Sequence, residues 1–250
     1  MQIPAGKKVY FLSDFHLGVP DHASSLVREK KIVAFLECAK ADAATIFIVG
    51  DLFDFWFEYR KVVPKGYVRI LGKLAELTDA GIPVHFFVGN HDMWMSGYFE
   101  KELNIPVYHE SKVFEFNGKK LLVGHGDGLG PGDHGYKAIK KVFRNPLSKF
   151  LFGLVPPFFG ISLAAYFSKS SRASTGESDE KFLGEENEWL ILHCREMLKE
   201  NSFDYFVFGH RHLPIDFQLN EKSRYINLGD WIKYDSYAVF EGTGLQLKFN

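Results

Sequence analysis

Acidic, amide and imidazole side chains recur in five short polar clusters along the 250-residue chain. In chain order the clusters read DFH, GDLFD, GNHD, GHGD and GHRH. They supply seven candidate metal ligands, namely Asp14, His16, Asp51, Asn90, His125, His210 and His212. Mixed carboxylate, amide and imidazole donors suit Mn²⁺, Fe²⁺, Zn²⁺ or Mg²⁺ better than a metal that prefers thiolates. Seven donors are too many for one tetrahedral site, but they suit two cations that share a bridging carboxylate.

Each polar cluster directly follows a short apolar run. The five runs are residues 8–12, 45–49, 84–88, 120–123 and 205–208. Short apolar runs bounded by glycine are typical of central strands that are buried on both faces. In α/β folds, ligand sites collect at the carboxyl edge of the strands. We therefore expect the five clusters to meet at one edge of a sheet.

The spacing of the remaining patterns predicts the architecture. Helical patterns at residues 24–40 and 66–80 separate the first three runs, which indicates βαβ units. After residue 208, short strands follow in quick succession at residues 215–219, 224–228, 236–240 and 245–249. We expect one α/β domain over residues 1–250, with two sheets in a layered sandwich. The formal net charge of −1 argues against a generically basic nucleic-acid binder.

One segment, residues 134–176, departs from this scheme. It has no acidic residue but seven basic ones, namely Lys137, Lys140, Lys141, Arg144, Lys149, Lys169 and Arg172. Residues 150–167 carry no charge over 18 positions, a length at which a membrane-spanning helix becomes a candidate. Pro156 and Pro157 argue against one continuous helix. Two short apolar helices could form a buried hairpin or contact lipid, and the basic flanks favour lipid.

Two cysteines, Cys38 and Cys194, lie in amphipathic helical patterns without a partner motif. We expect both to be reduced, buried thiols. The aromatic content of 16%, with 25 Phe, is the unusual feature of the composition. So many rings must be packed in a core or left as a binding surface.

The five clusters, in this order and each after an apolar run, resemble the calcineurin-like metallophosphoesterase superfamily. The resemblance implies a four-layer αββα sandwich with a helical cap insertion. It implies one cation held by Asp14, His16, Asp51 and His212, and a second held by Asp51, Asn90, His125 and His210. Asp51 would bridge the two cations. His91 would face the substrate as transition-state stabiliser or general acid, with Asp54 orienting it.

Within this superfamily, SDFHLG, GDLFDFWFEY and the segment after GHGD resemble the UDP-2,3-diacylglucosamine pyrophosphohydrolase family of lipid A biosynthesis. This resemblance implies release of UMP from a lipid-linked nucleotide, with two Mn²⁺ ions. The reaction would take place at the cytoplasmic face of the inner membrane, with the protein peripherally bound. Residues 131–183 would form a helical cap over the acyl chains. The expected substrate contacts are Asn90, His91, Asp133, Ser171, Arg172, Thr175 and His210.

One residue departs from this narrower family: His91 stands where its best-known branch has arginine. GNHD is the commoner superfamily form and occurs in hydrolases of many phosphoesters. Two alternatives therefore stay open. One is a phosphoesterase for a nucleotide or phosphoprotein, and the other is a non-catalytic scaffold that docks to a membrane or a protein. The complete ligand set favours an enzyme, and the basic, aromatic insertion favours the lipid; no nucleic-acid partner is expected.

Overall fold

Two β-sheets lie face to face in the computed structural model, which describes residues 1–132, 134–164, 168 and 181–250. The first sheet contains β1 (Lys8–Leu12), β2 (Ala43–Val49), β3 (Val84–Phe87), β4 (Val107–Tyr108), β10 (Ser236–Glu241) and β11 (Gly244–Phe249). Its strand order is β11-β10-β1-β2-β3-β4. The second sheet contains β5 (Lys112–Phe116), β6 (Lys119–Val123), β7 (Tyr205–Phe208), β8 (Pro214–Gln218) and β9 (Arg224–Leu228). Its strand order is β5-β6-β7-β9-β8.

Parallel pairing places the polar clusters at common edges. In the first sheet β1 to β4 are parallel neighbours, and in the second β7 is parallel to both β6 and β9. The carboxyl ends of neighbouring parallel strands lie at the same edge of a sheet. The turns after β1, β2 and β3 therefore lie together, as do the turns after β6 and β7. The prediction of one edge of a single sheet is wrong, because the five clusters follow strands of two sheets.

Helices complete the four layers. The first sheet is covered by α1 (His22–Lys40), α2 (Val68–Asp79) and α3 (Tyr98–Leu103). The second sheet is covered by α7 (Trp189–Met197), whose Leu190, Ile191 and Cys194 pack against it. Between α3 and α7 in the sequence lie α4 (His134–Arg144), α5 (Pro146–Leu154) and α6 (residues 157–164). The predicted αββα order is confirmed.

Aromatic packing between the sheets accounts for much of the phenylalanine excess. Phe11 and Phe47 stack with ring centroids 4.9 Å apart, and Phe47 also contacts Phe114 and Phe116. Fully burying one such side chain stabilises the fold by roughly 1.5–3 kcal/mol. The resulting rigid sandwich holds the turns at its edge in fixed positions.

The apolar helices of the insertion are exposed. No described residue of α5 is buried, and Phe158 at the start of α6 is 76% exposed. The chain breaks between α5 and α6 at Val155 and Pro156, as the two prolines predicted. The described residues of α5 and α6 therefore do not form a buried hairpin. Among the described residues, no helix has both the length and the apolar character needed to cross a membrane.

Some elements escaped the sequence reasoning. Strand β4 has two residues and α3 has six, so neither leaves a periodic pattern. Strand β5 lies at the edge of its sheet and is mostly exposed, with only Phe116 among its five residues buried. The prediction that Cys38 is buried is wrong because this position of α1 faces solvent, whereas Cys194 is buried as expected.

Candidate metal centre

The turns after β1, β2 and β7 bring four predicted ligands together: Asp14, His16, Asp51 and His212. One ligand atom from each of these side chains lies within 4.8 Å of all the others. His16 Nε2 is 3.1 Å from His212 Nε2 and 3.7 Å from Asp14 Oδ1. Asp14, His16 and Asp51 are fully buried. Two carboxylates and two imidazoles directed at one point form an arrangement that can hold a divalent cation.

Three further predicted ligands converge on the opposite side of Asp51. Asn90 Oδ1 lies 3.1 Å from His125 Nε2 and 3.0 Å from His210 Nδ1. Asp51 Oδ2 is 3.3 Å from His125 Nε2 and 3.7 Å from His16 Nε2. The same oxygen therefore faces both groups of donors. That is the position a bridging carboxylate occupies.

Two carboxylate oxygens of this centre, Asp14 Oδ1 and Asp51 Oδ2, are buried without a hydrogen-bond partner in the described part of the chain. The second oxygen of each carboxylate accepts a backbone hydrogen bond, from His210 N at 3.0 Å and from His91 N at 2.9 Å. These bonds fix the unpaired oxygens toward the histidines. An unsatisfied buried polar group costs about 1–3 kcal/mol, and more if it is charged. A cation would satisfy both oxygens, so the residues present fit the divalent metals.

A hydrogen bond at the outer nitrogen orients the His125 ring, and a carboxylate lies beside the outer nitrogen of His212. His125 Nδ1 is 2.8 Å from the carbonyl oxygen of Val49, and His212 Nδ1 is 3.5 Å from Asp230 Oδ2. A proton on Nδ1 leaves the lone pair of Nε2 directed into the centre. Both rings therefore present a metal-binding nitrogen.

Five of the seven predicted ligands have left-handed backbone conformations, with φ of 56° at Asp14, 43° at His16, 53° at Asp51, 70° at His210 and 52° at His212. Such φ values are uncommon outside glycine because Cβ meets the neighbouring backbone. Each costs of order 1–3 kcal/mol and persists only where the surrounding structure fixes it. Strain of this kind concentrates at functional sites.

Two of the motif glycines stand where the backbone comes too close to a neighbouring side chain to leave room for a Cβ atom. A Cβ atom at Gly89 would lie 2.1 Å from Asp51 Oδ1, and one at Gly209 would lie 2.0 Å from Ser13 Oγ. Asp92 fixes the first of these approaches, because its carboxylate accepts from Gly89 N at 2.7 Å and from Leu52 N at 2.9 Å. Gly89 thus allows the turns after β2 and β3 to touch, and Gly209 does the same for the turns after β1 and β7.

Burial and nearby charges shift the pKa values of the side chains in this centre in opposite directions. Burial alone would raise the pKa of Asp51, but the adjacent His125 holds that pKa well below its usual value. Burial lowers the pKa of His91 to about 4, although Asp51 opposes this shift. The centre therefore combines an ionised carboxylate at Asp51 with a neutral ring at His91.

His91 lies beside the predicted ligands, with its ring centroid 4.8 Å from that of His16. Its Nδ1 is 2.9 Å from the backbone oxygen of Asp54 and 3.7 Å from Asp54 Oδ1, so the carbonyl is the nearer contact. Ser168 was not singled out in the sequence. Its hydroxyl donates to Asp54 Oδ2 at 2.8 Å and lies 3.3 Å from His91 Nδ1. The only sequence feature that could have pointed to Ser168 is its position at the start of the polar SKSSRAS run.

Four predicted substrate contacts lie outside the described residues: Asp133, Ser171, Arg172 and Thr175. Their placement stays a prediction. Asn90, His91 and His210, the other predicted contacts, all border the centre.

Contacts from two directions place α4 and α5 over this sheet edge. Asp127, in the turn after β6, accepts from Tyr136 Oη at 2.6 Å and pairs with Lys140 Nζ at 2.5 Å. Trp94, after β3, donates its Nε1 hydrogen to the carbonyl oxygen of Phe143 at 2.8 Å. The Trp94 ring also packs on Phe152 of α5, with centroids 5.1 Å apart. The exposed apolar helices therefore begin directly beside the centre.

Comparisons with known proteins agree with this geometry. Residues 7–214 match the family described as calcineurin-like phosphoesterase. A protein of Porphyromonas gingivalis named UDP-2,3-diacylglucosamine hydrolase is 41% identical over 259 residues, covering 96% of this chain and 97% of that protein. A protein of the same name from Yersinia enterocolitica is 28% identical, covering 82% of this chain and 81% of that protein.

Among solved structures, zinc-complexed Vps29 from Entamoeba histolytica aligns with a TM-score of 0.43 and 13% identity, over 96% of this chain and 97% of that one. The chain belongs to the calcineurin-like phosphoesterase family, whose members use divalent metals. The family predicted from the five clusters is thereby confirmed.

The unpaired oxygen of Asp51 gives a stability prediction. Asp51→Asn removes the charge of the proposed bridging carboxylate, so the variant should lose the stabilisation that a bound cation provides. Ligands that bind the folded state stabilise it by mass action, so millimolar Mn²⁺ should raise the Tm of the wild type by several degrees, about 2–4 °C per kcal/mol. The same Mn²⁺ should leave the Tm of Asp51→Asn nearly unchanged.

Differential scanning calorimetry with and without Mn²⁺ measures both effects. Asp79→Asn, which alters an exposed carboxylate at the end of α2, is the matched control and should respond like the wild type. Equal stabilisation of Asp51→Asn and wild type by Mn²⁺ would contradict the assignment.

Proposed function

We propose that this chain is a metal-dependent pyrophosphohydrolase that cleaves UDP-2,3-diacylglucosamine to UMP and 2,3-diacylglucosamine 1-phosphate in lipid A biosynthesis. The observation that carries the proposal is that a centre of seven donors, from the edges of both sheets, lies beside exposed apolar and basic helices. A metallohydrolase for a small soluble ester needs the first of these features but not the second. The name of the relative that is 41% identical over nearly the whole chain supports the same substrate.

The proposal includes two divalent cations, assigned as Mn²⁺. Asp14, His16, Asp51 and His212 would hold one, and the other would be held by Asp51, Asn90, His125 and His210. Such a pair, when bound, activates water for attack and neutralises charge on the phosphoryl group. The unpaired oxygens of Asp14 and Asp51 support this donor set.

His91 is proposed to act on the substrate directly. Its Nδ1 contacts the carbonyl oxygen of Asp54, so Nε2 is the nitrogen left to meet a phosphate. An anionic pyrophosphate beside the ring would raise its pKa from the low value that burial imposes. The protonated ring could then stabilise the transition state or donate a proton to the leaving group. Asp54 and Ser168 would hold the ring in place.

Residues 131–183 are proposed to be a cap that receives the acyl chains. Ten large apolar side chains on α4, α5 and α6 are 40–76% exposed: Ile139, Val142, Phe143, Leu147, Phe150, Leu151, Leu154, Phe158, Phe159 and Leu163. Sequestering acyl chains against such a surface contributes about 0.8 kcal/mol per CH₂ group. Apolar exposure on this scale marks a binding surface rather than ordinary protein exterior.

A basic cleft lies on the same helices. It has a volume of about 450 Å³ and is lined by Lys137, Lys140, Lys141, Arg144 and Asn145. Basic residues next to an apolar surface suit the anionic pyrophosphate and an anionic membrane leaflet. We therefore include peripheral attachment to the cytoplasmic face of the inner membrane in the proposal.

The direct test is release of UMP from UDP-2,3-diacylglucosamine by purified protein with Mn²⁺. Wild type should release UMP, and His91→Ala should lower kcat by about 10²–10⁴-fold with Mn²⁺ binding retained. His91→Arg should keep more activity than His91→Ala, because it restores a positive charge at this position. His22→Ala, an exposed histidine on α1, is the control. No UMP release by wild type, together with turnover of a soluble phosphoester, would favour the alternative substrate class.

The cap is tested by making its apolar surface polar. In Phe150→Ser/Phe158→Ser, two side chains that are 63% and 76% exposed lose their apolar surface. KM for the lipid nucleotide should rise by at least about tenfold, since some 1.4 kcal/mol corresponds to that factor. Hydrolysis of water-soluble bis(p-nitrophenyl) phosphate should not change. Val27→Ser, which alters a 66% exposed valine on α1, is the control. An unchanged KM for the lipid would count against the cap.

A further inference from the structure

Arg211, the residue between the two histidines of GHRH, is buried in a paired contact with Glu188. Arg211 Nε donates to Glu188 Oε2 at 3.0 Å, and Arg211 Nη2 donates to Glu188 Oε1 at 2.8 Å. Both side chains have no exposed surface. The guanidinium lies 4.6 Å from the centroid of the Trp189 ring. Neither member of this pair is among the predicted metal ligands, catalytic residues or substrate contacts.

The same two side chains hold residues 181–183, the C-terminal end of the proposed cap. Arg211 Nη2 donates to the carbonyl oxygen of Lys181 at 2.7 Å. Glu188 Oε1 accepts from Leu183 N at 3.0 Å. Glu188 is also the residue at which α7 begins, as its N-cap. One ion pair thus joins the turn after β7, the start of α7 and the end of the proposed cap.

Stability alone is a poor explanation for a pair in this position. Removing two charges from water offsets most of their attraction, and apolar side chains of similar volume are often equally stabilising. The neighbouring histidines supply a better explanation. His210 and His212 have φ of 70° and 52°, conformations that persist only where the surroundings fix them. Arg211 is the anchored residue between them.

The two histidines lie on opposite sides of Asp51. His210 contacts Asn90, whereas His212 contacts His16 and lies 3.4 Å from Asp14 Oδ1. A displacement of Arg211 would therefore move one donor in each half of the centre at the same time.

We propose that Glu188 and Arg211 form a positioning pair that sets the placement of His210 and His212, and with it the affinity of the centre for divalent cations. Because the pair also binds residues 181–183, it links the end of the cap to the metal centre. The inference rests on the proposed metal centre but is independent of the substrate.

Three variants separate positioning from simple stability. Glu188→Gln keeps the shape of the side chain without its charge, and Arg211→Lys keeps the charge without the two parallel hydrogen bonds. Glu188→Leu/Arg211→Met replaces the pair with apolar side chains. Tm of the chelator-treated protein and the Kd for Mn²⁺, from isothermal titration calorimetry, are measured for each. Asp216→Asn, which breaks the exposed pair of Asp216 with Arg224, is the matched control.

The double variant should have a Tm close to that of wild type and bind Mn²⁺ about 10–100-fold more weakly, the range found when partners of metal ligands are replaced. The two single variants should also bind Mn²⁺ more weakly, and Asp216→Asn should match wild type. Wild-type Mn²⁺ affinity in the double variant would overturn the positioning role. If the double variant does not fold, an unchanged Kd in Glu188→Gln overturns it. A wild type that binds no Mn²⁺ would instead refute the metal centre itself.

Discussion

The rest of the structure depends on one buried oxygen, Asp51 Oδ2, that faces histidines from both sheets. His16 approaches it from the turn after β1, and His125 approaches it from the turn after β6. An ionised carboxylate in this environment is costly unless positive charge meets it. The two sheets must therefore present their carboxyl edges to the same point. Parallel strands, close glycine contacts and the aromatic core between the sheets all serve that requirement.

The geometry of the turns shows how the fold meets this requirement. Five predicted ligands have left-handed backbone conformations. These conformations direct the side chains into the centre, whereas a regular turn would direct them elsewhere. Their strain is offset by the sandwich core and by buried anchors beside them. Arg211 anchors the turn after β7, and Arg28 anchors the turn after β1 by donating to the carbonyl oxygen of His16 at 2.7 Å.

Local patterns were enough to predict the two-sheet sandwich and the described strands other than β4 and β5, and they placed the seven candidate donors after apolar runs at strand ends. Contacts between distant segments were not predictable in this way. Ser168 reaches Asp54 across 114 residues, and Glu188 reaches Arg211 across 23. Neither pair has a spacing that marks it, and φ at the ligands depends on packing that a single sequence does not record. The near-zero net charge was similarly uninformative, since it averages a basic insertion with 23 basic and 31 acidic residues outside residues 134–176.

The metal centre proposed here has two cations that share Asp51 between the sheets. Anomalous diffraction at the manganese edge, from crystals grown with Mn²⁺, would locate these cations. We expect two anomalous peaks on either side of Asp51 Oδ2, one beside Asp14, His16 and His212 and the other beside Asn90, His125 and His210. Crystals of Asp51→Ala should lose at least one of them. A single peak away from Asp51, or two peaks that persist unchanged in Asp51→Ala, would show that the cations do not share Asp51.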